Sequence, residues 1–304
     1  MSRAPIRVGV AGWDYRDWKG VVYPEKKPKG FDPVRYLARF LDLIEINSTF
    51  YRPVRPEVAE RWAERVEDLD DFRYSAKLWR RFTHERDEAW SAGEVRAVRD
   101  GLRPLLRAEK LDALLIQFPW SFKNEEGNRE WLADLVDTFR EFPLVVEVRH
   151  ESWNEPDFYA WLGEEGVGFV NIDQPLFSRS IKPSAKGTAR VGYVRVHGRN
   201  YRDWWRMGAD AGARYDYLYE PAELRPWVAR TREIADDRRT RLVDVVFNNH
   251  SRGKSVVNAV QFRKMLSGRK APAPAELMEA YPEELKRYAR RLPEGPAEEM
   301  RRAA

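Results

Sequence analysis

Eight short apolar stretches recur along this chain, and each closes on polar residues: IRVGVAGW, LDLIEINSTFY, FRYSAKLW, ALLIQFPW, LVVEVRHESW, VGFVNID, VGYVRVHG and LVDVVFNNH. Segments with helical spacing lie between them. Strands that alternate with helices build right-handed βαβ units and a parallel sheet. Eight such units point to a closed TIM-type (β/α)8 barrel, whose chemistry sits at the C-terminal ends of the strands. The chain has 304 residues, and such a barrel typically takes about 250. A barrel domain over residues 1–268 is therefore expected, with a C-terminal extension over 269–304.

The helical segments are read from capping and periodicity. Asp32 can cap a first helix and Pro33 suits its first turn, ahead of Tyr36, Leu37, Phe40 and Leu41. Further helices are expected over 56–66, 94–107, 128–139, 157–162, 222–234 and 254–266. Residues 174–190 contain Pro175, Pro183 and Gly187 and no helical stripe, so an irregular crossover is expected after strand 6. Residues 199–219 read as a long aromatic loop. GRKAPAPAELM reads as a linker, followed by one surface helix around 282–291 and a charged end.

Composition narrows the class. No stretch approaches the roughly 20 apolar residues of a membrane span. The N-terminal MSRAPIRVGV enters the first strand without a secretory h-region. Cysteine is absent, which excludes disulfides and thiol catalysis. These features together lead to the expectation of a cytoplasmic protein with no membrane association. The net charge is +5, with 49 acids interspersed among 54 bases. That balance fits a surface laced with salt bridges, or an anionic partner. No dense Lys/Arg block marks a nucleic-acid site.

Side chains two apart on a strand share a face. This groups Glu45 with Asn47, Ser75 with Lys77, Glu147 with Arg149, Asn171 with Asp173, and Arg195 with His197, while Gln117 and Asn249 hold comparable positions. A barrel interior tolerates so many polar groups only if they meet one another or a ligand. The three acids (Glu45, Glu147, Asp173) and three cations (Lys77, Arg149, Arg195) balance. A buried ion-pair network and a functional pocket both fit. All four histidines (His84, His150, His197 and His250) follow strands. His197 suits general acid/base work, its ordinary pKa of about 6.5 lying near neutrality. Glu45 and Glu147 could form paired acid/base carboxylates. Arg149 and Arg195 could grip a phosphate or carboxylate, with Lys77 as a point charge.

No cofactor is indicated, since P-loop, GxGxxG and GxSxG motifs are lacking. A divalent metal has oxygen and nitrogen donors available but no ligand motif such as HExxH. Trp13, Trp18, Trp79, Trp120, Trp153, Trp204 and Trp205 lie after strands, joined by Tyr15, Tyr51, Tyr201, Tyr215 and Tyr217. Such rings either stack on sugars or bases or pack the loops into a lid.

Several segments together resemble the DUF72 (YecE-like) family of uncharacterised TIM-barrel proteins: GVAGWDYRDWKGVVYP, EINSTFYRP, SAKLWRRFTHER, LIQFPWSF, VEVRHESW, NIDQP, YVRVHGRN and FNNHSRGKSVVNA. The resemblance covers residues 6–266 and leaves the tail outside. It implies the eight-stranded barrel and points to Trp13, Glu45, Asn47, Tyr51, Lys77, Gln117, Glu147, Arg149, His150, Trp153, Asp173, Arg195, His197, Gly198, Asn248 and Asn249. It implies no reaction.

Two functions fit these residues. The first is an enzyme of hydrolase or lyase type acting on a small anionic, phosphorylated or sugar-containing substrate. Glu45, Glu147 and His197 would be its acid/base groups; Trp13, Asn47, Tyr51, Lys77, Gln117, Arg149, His150, Trp153, Asp173, Arg195, Asn248 and Asn249 would bind substrate. The alternative is a non-catalytic nucleic-acid-binding protein using the same basic and aromatic face. A small-ligand sensor would use the same pocket.

Overall fold

The computed structural model describes residues 3–204 and 211–292. Its eight barrel strands are β1 (Ile6–Ala11), β2 (Leu43–Ile46), β3 (Arg73–Lys77), β4 (Leu111–Gln117), β5 (Leu144–Glu147), β6 (Gly168–Asp173), β7 (Val191–Val196) and β8 (Leu242–Phe247). They are parallel, pair in sequence order and close β8 onto β1. The helices are α1 (Pro33–Ala38), α2 (Pro56–Glu64), α3 (Ala92–Arg107), α4 (Glu126–Thr138), α5 (Pro156–Glu164), the single turn α6 (Ala211–Arg214), α7 (Pro221–Asp236) and α8 (Lys254–Ser267). This is the TIM-type (β/α)8 barrel the strand pattern predicts. No described helix is long and apolar enough to cross a membrane.

Local chemistry sets the helix starts. The Asp32 carboxylate accepts from the backbone N–H groups of Val34 (2.9 Å) and Arg35 (3.1 Å), with Pro33 in the first turn. α3 begins two residues earlier than its apolar stripe suggests. Ser91 and Glu94 form a reciprocal capping box, each side chain accepting from the other's backbone N–H.

The register around the barrel is consistent, and it assigns each residue to a face. Gly9, Glu45, Ser75, Gln117, Glu147, Ile172, Arg195 and Val246 lie on the inner face, as the chain of Cα pairings requires. Their neighbours Val10, Ile44, Ile46, Ala76, Ile116, Val194 and Phe247 are fully buried, so the apolar core lies between the outer strand faces and the helices. At Gly9 an added Cβ would stand 1.8 Å from the Leu43 carbonyl oxygen, so the close β1–β2 approach admits only glycine.

The crossover at 174–190 carries no helix. Side-chain hydrogen bonds hold it instead. Asn171 accepts from Ser184 Oγ (2.7 Å) and from Lys186 N (2.8 Å). Thr188 Oγ1 accepts from Phe169 N and donates to the Val167 carbonyl.

The segment expected to be a linker is structured. β9 (Ala271–Ala273) pairs in parallel with β10 (Ala289–Arg291), and the helices α9 (Ala275–Ala280) and α10 (Pro282–Leu285) lie between them. Leu277, Leu285 and Ala289 join the core. The surface helix expected over 282–291 is thus one turn followed by a strand. Small Ala and Pro side chains resemble a linker in composition, yet here they pair across a long loop.

Candidate functional site

Arg195 is the hub of the inner C-terminal face. Its Nη2 lies 2.7 Å from Glu45 Oε1 and its Nη1 lies 2.5 Å from Glu147 Oε2. Arg149 reaches the other oxygen of Glu147 through Nε (2.9 Å) and Nη2 (2.7 Å). Tyr193, two residues before Arg195 on the same face, donates to Glu45 Oε2 (3.1 Å) and meets Ser75 Oγ at 2.7 Å. His197 continues this face: its Nδ1 accepts from the Asn248 amide (3.1 Å), and its Nε2 lies 3.3 Å from Glu147 Oε1. With the amide so oriented, Nε2 carries the hydrogen and donates to Glu147. Glu45, Glu147 and His197 are closed off from solvent, and Arg195 is 2% exposed.

These surroundings set the charges. Burial alone would raise the Glu147 pKa; Arg195, His197 and Arg149 together outweigh it and hold the carboxyl well below its usual value. Burial, reinforced by Arg195 and Arg149, lowers His197 to about 3 despite the attraction of Glu147. At neutral pH the expected general acid/base His197 is therefore an uncharged hydrogen-bonding group. Burial lowers Lys77 to about 7, and Arg195 pushes in the same direction. His84 is lowered to about 3, by burial and then by Lys77 and Arg149. The protonation change closest to neutrality in this cluster belongs to Lys77.

The solvent side of the cluster is cationic and aromatic. Lys77 is partly exposed, and its Nζ sits 3.6 Å from the Phe50 ring centroid. Arg149, its side chain 15% exposed, lies under the buried Trp204 at 5.8 Å. Asn47 is half-buried and Tyr51 is 66% exposed on the same rim. Trp13 is half-buried with its edge against Trp62. Gln117 shares the inner face and donates to the Phe118 carbonyl.

Other expected site residues are held by contacts with the surrounding scaffold. Asn171 and Asp173 do share a face, and it is the outer one. Asp173 takes both nitrogens of the Arg199 fork at 2.9 Å, the Trp227 indole N–H at 3.0 Å and the Tyr219 hydroxyl. Asn249 donates to the Tyr217 carbonyl and to Asn258, each at 2.8 Å. His150 Nδ1 accepts from Ser152 N. Trp153 is buried, stacked on Phe122, with its N–H on the Phe122 carbonyl. Trp205 lies outside the described residues. Among the described residues no group of three or more His, Asp and Glu is placed to hold a metal ion.

A second ionic layer, which the motif reading missed, fills the bottom of the barrel. The β3–β4 register shifts between Tyr74 and Ser75, leaving Asp112 as the extra residue. Asp112 meets Arg7 at 2.7 Å and Arg73 at 3.7 Å. Asp244, paired in register with Arg7, is fully buried, and among the described residues neither carboxyl oxygen has a hydrogen-bond partner. Burial, with Asp112 adding repulsion, raises its pKa well above the usual value.

A closed eight-stranded parallel barrel with ionisable groups gathered at its strand C-termini defines a TIM-barrel protein. Residues 7–292 match the family described as protein of unknown function DUF72, and the chain belongs to that family. The match runs past residue 266, where the motif resemblance ends, and takes in the β9–β10 extension. The chain is 28% identical to the UPF0759 protein YunF of Bacillus subtilis (strain 168) over 276 residues, covering 86% of this chain and 94% of YunF. It is 26% identical to the UPF0759 protein YecE of Escherichia coli (strain K12) over 199 residues, 65% of each chain. The crystal structure of a DUF72 family protein from Thermotoga maritima MSB8 superposes with a TM-score of 0.74 at 31% identity, covering 86% of this chain and 99% of that one.

Proposed function

We propose that the C-terminal face of the barrel is an active site of hydrolase or lyase type for a small anionic substrate, phosphorylated or sugar-containing. The charge count of the inner cluster supports this most directly. Arg149 and Arg195 balance the two carboxylates of Glu45 and Glu147, His197 is neutral at physiological pH, and Lys77, titrating near 7, adds a positive charge when protonated. With Lys77 protonated the cluster carries one positive charge in excess, on the side that reaches solvent. Burial and the neighbouring arginines disfavour that charge, and an incoming phosphate or carboxylate would stabilise it.

In this reading Arg195 is spent on the two carboxylates, and Arg149 and Lys77 take the anion. Glu147 stays ionised, so it acts as a fixed negative charge that stabilises a developing cation. Asn248 and His197 orient it. Tyr51, Asn47 and Trp204 line the approach.

Titration with inorganic phosphate and pyrophosphate, followed by tryptophan fluorescence, tests the reading. Hydrogen bonds to charged groups contribute about 1.5–3 kcal/mol, so Arg149→Gln is expected to weaken anion binding by roughly 10- to 100-fold while leaving the far-ultraviolet dichroism unchanged. Equal affinity in wild type and variant would remove Arg149 from the site. Steeply salt-dependent oligonucleotide binding that phosphate fails to displace would favour the non-catalytic nucleic-acid reading instead.

A further inference from the structure

We propose that Lys77 is a nucleophilic amine of this site, condensing with the aldehyde or ketone of a substrate that also carries a phosphate or carboxylate. The inference rests on the anion-site reading above and adds the substrate's second functional group.

The argument begins with what Lys77 lacks. The surface lysines Lys19, Lys254 and Lys286 each sit 2.6–2.8 Å from a carboxylate. Among the described residues Lys77 Nζ has no ion pair and no hydrogen bond, although two carboxylates belong to the same cluster. Glu45 is taken by Arg195 and Tyr193, and Glu147 by Arg195, Arg149 and His197. The amine instead faces the Phe50 ring.

Its position is fixed from both sides. The strand end turns Lys77 to the inner face beside Ser75, and Thr49 Oγ1 donates to the Lys77 carbonyl at 2.7 Å. Glu45 from β2, Glu147 and Arg149 from β5 and its following loop, and Arg195 from β7 all act on its charge, and His84 stands close by. Burial and the two arginines favour the uncharged amine, with its pKa lowered to about 7. Desolvation beside other cations is how a lysine becomes a nucleophile near neutrality.

The step balances without an oxidant or reductant. The nitrogen lone pair attacks the carbonyl carbon, and the C=O π pair moves to oxygen, which takes a proton. The nitrogen of the resulting carbinolamine gives up one proton, and the protonated hydroxyl leaves as water. A C=N bond forms whose nitrogen keeps one hydrogen and a positive charge. The sum is amine plus carbonyl plus one solvent proton, giving iminium plus water. The iminium charge lies where the ammonium charge lay, against the Phe50 face and within the field of Glu45 and Glu147. Arg149 meanwhile holds the substrate's anionic group.

The test uses the full chain with glyoxylate, an aldehyde bearing a carboxylate, and cyanoborohydride to reduce any iminium, with peptide mass spectrometry to locate adducts. Lys77 is expected to be modified at least about 10-fold faster than the exposed Lys26 and Lys123, with half-maximal rate near pH 7 and slowing by added phosphate. Lys77→Arg should remove that adduct and leave the others. If Lys77 reacts no faster than Lys26 and Lys123, the proposal is overturned. Should phosphate still bind and depend on Arg149 in that case, Lys77 is only a point charge for the anion and the active-site reading survives. Should phosphate not bind either, both readings fall.

Discussion

Arg195→Met is expected to destabilise the protein by about 3–5 kcal/mol, the usual cost of breaking a buried ion pair from one side. The variant keeps an unbranched side chain of similar reach and leaves Glu45 and Glu147 in place. Glu147 keeps Arg149, but among the described residues Glu45 keeps only the Tyr193 hydroxyl. Both carboxylates are shut off from water, so each must hold its charge against burial or take up a proton. Adding Glu45→Gln and Glu147→Gln to Arg195→Met should recover much of the loss, because replacing a whole buried ionic group is often neutral. Urea unfolding of the single and triple variants measures both effects. A loss under about 1 kcal/mol for Arg195→Met would mean that water or a shifted side chain reaches the carboxylates, and the sealed cluster would have to be abandoned.

Asp244→Asn should stabilise the protein, and increasingly so as pH rises. The folded pKa of Asp244 is raised well above the usual carboxyl value by burial and by Asp112. The native state therefore binds its proton more tightly than the unfolded chain. Stability from this group is present at pH values below the unfolded pKa and is lost as pH rises toward the folded one. Each pH unit between the two values corresponds to about 1.4 kcal/mol. The isosteric amide removes the titration. Wild type and variant should be similar near pH 3 and diverge steadily as pH rises to 7, with the variant the more stable. Chemical denaturation across that range decides it. A constant difference would show that the Asp244 carboxyl is not held protonated in the fold.

Much of this architecture is legible from the chain because two periods coexist in it. Stretches alternating at period two, each ending in polar residues, state both the strand and the end at which chemistry collects. Glu45, Lys77, Glu147, Arg149, Arg195 and His197 are found that way. Alternation gives relative faces only. Asn171 and Asp173 were grouped correctly, but which face they occupy depends on pairing Ile172 with Arg195 across the sheet. Arg7, Asp112 and Asp244 escaped notice because each is a lone charge inside an apolar stretch, and nothing local says that the three meet. Tyr193 was within reach, since it stands two residues before Arg195. The charge state of His197 is not legible from its free-solution pKa, because burial and nearby guanidinium groups are properties of the folded molecule. The β9–β10 pair joins segments some eighteen residues apart, and neither has a strand signal of its own.

The crossover between β6 and β7 carries a mechanical consequence. Elsewhere a helix seals the outside of the strands with an apolar stripe, whereas here the chain is fastened by the side-chain hydrogen bonds of Asn171 and Thr188, a short backbone bridge to the loop after β5, and the buried side chain of Ile181. Such fastenings can open one at a time at a free energy below that of global unfolding. The cylinder therefore has a seam, and amide exchange should begin along it while the charged column inside stays shut.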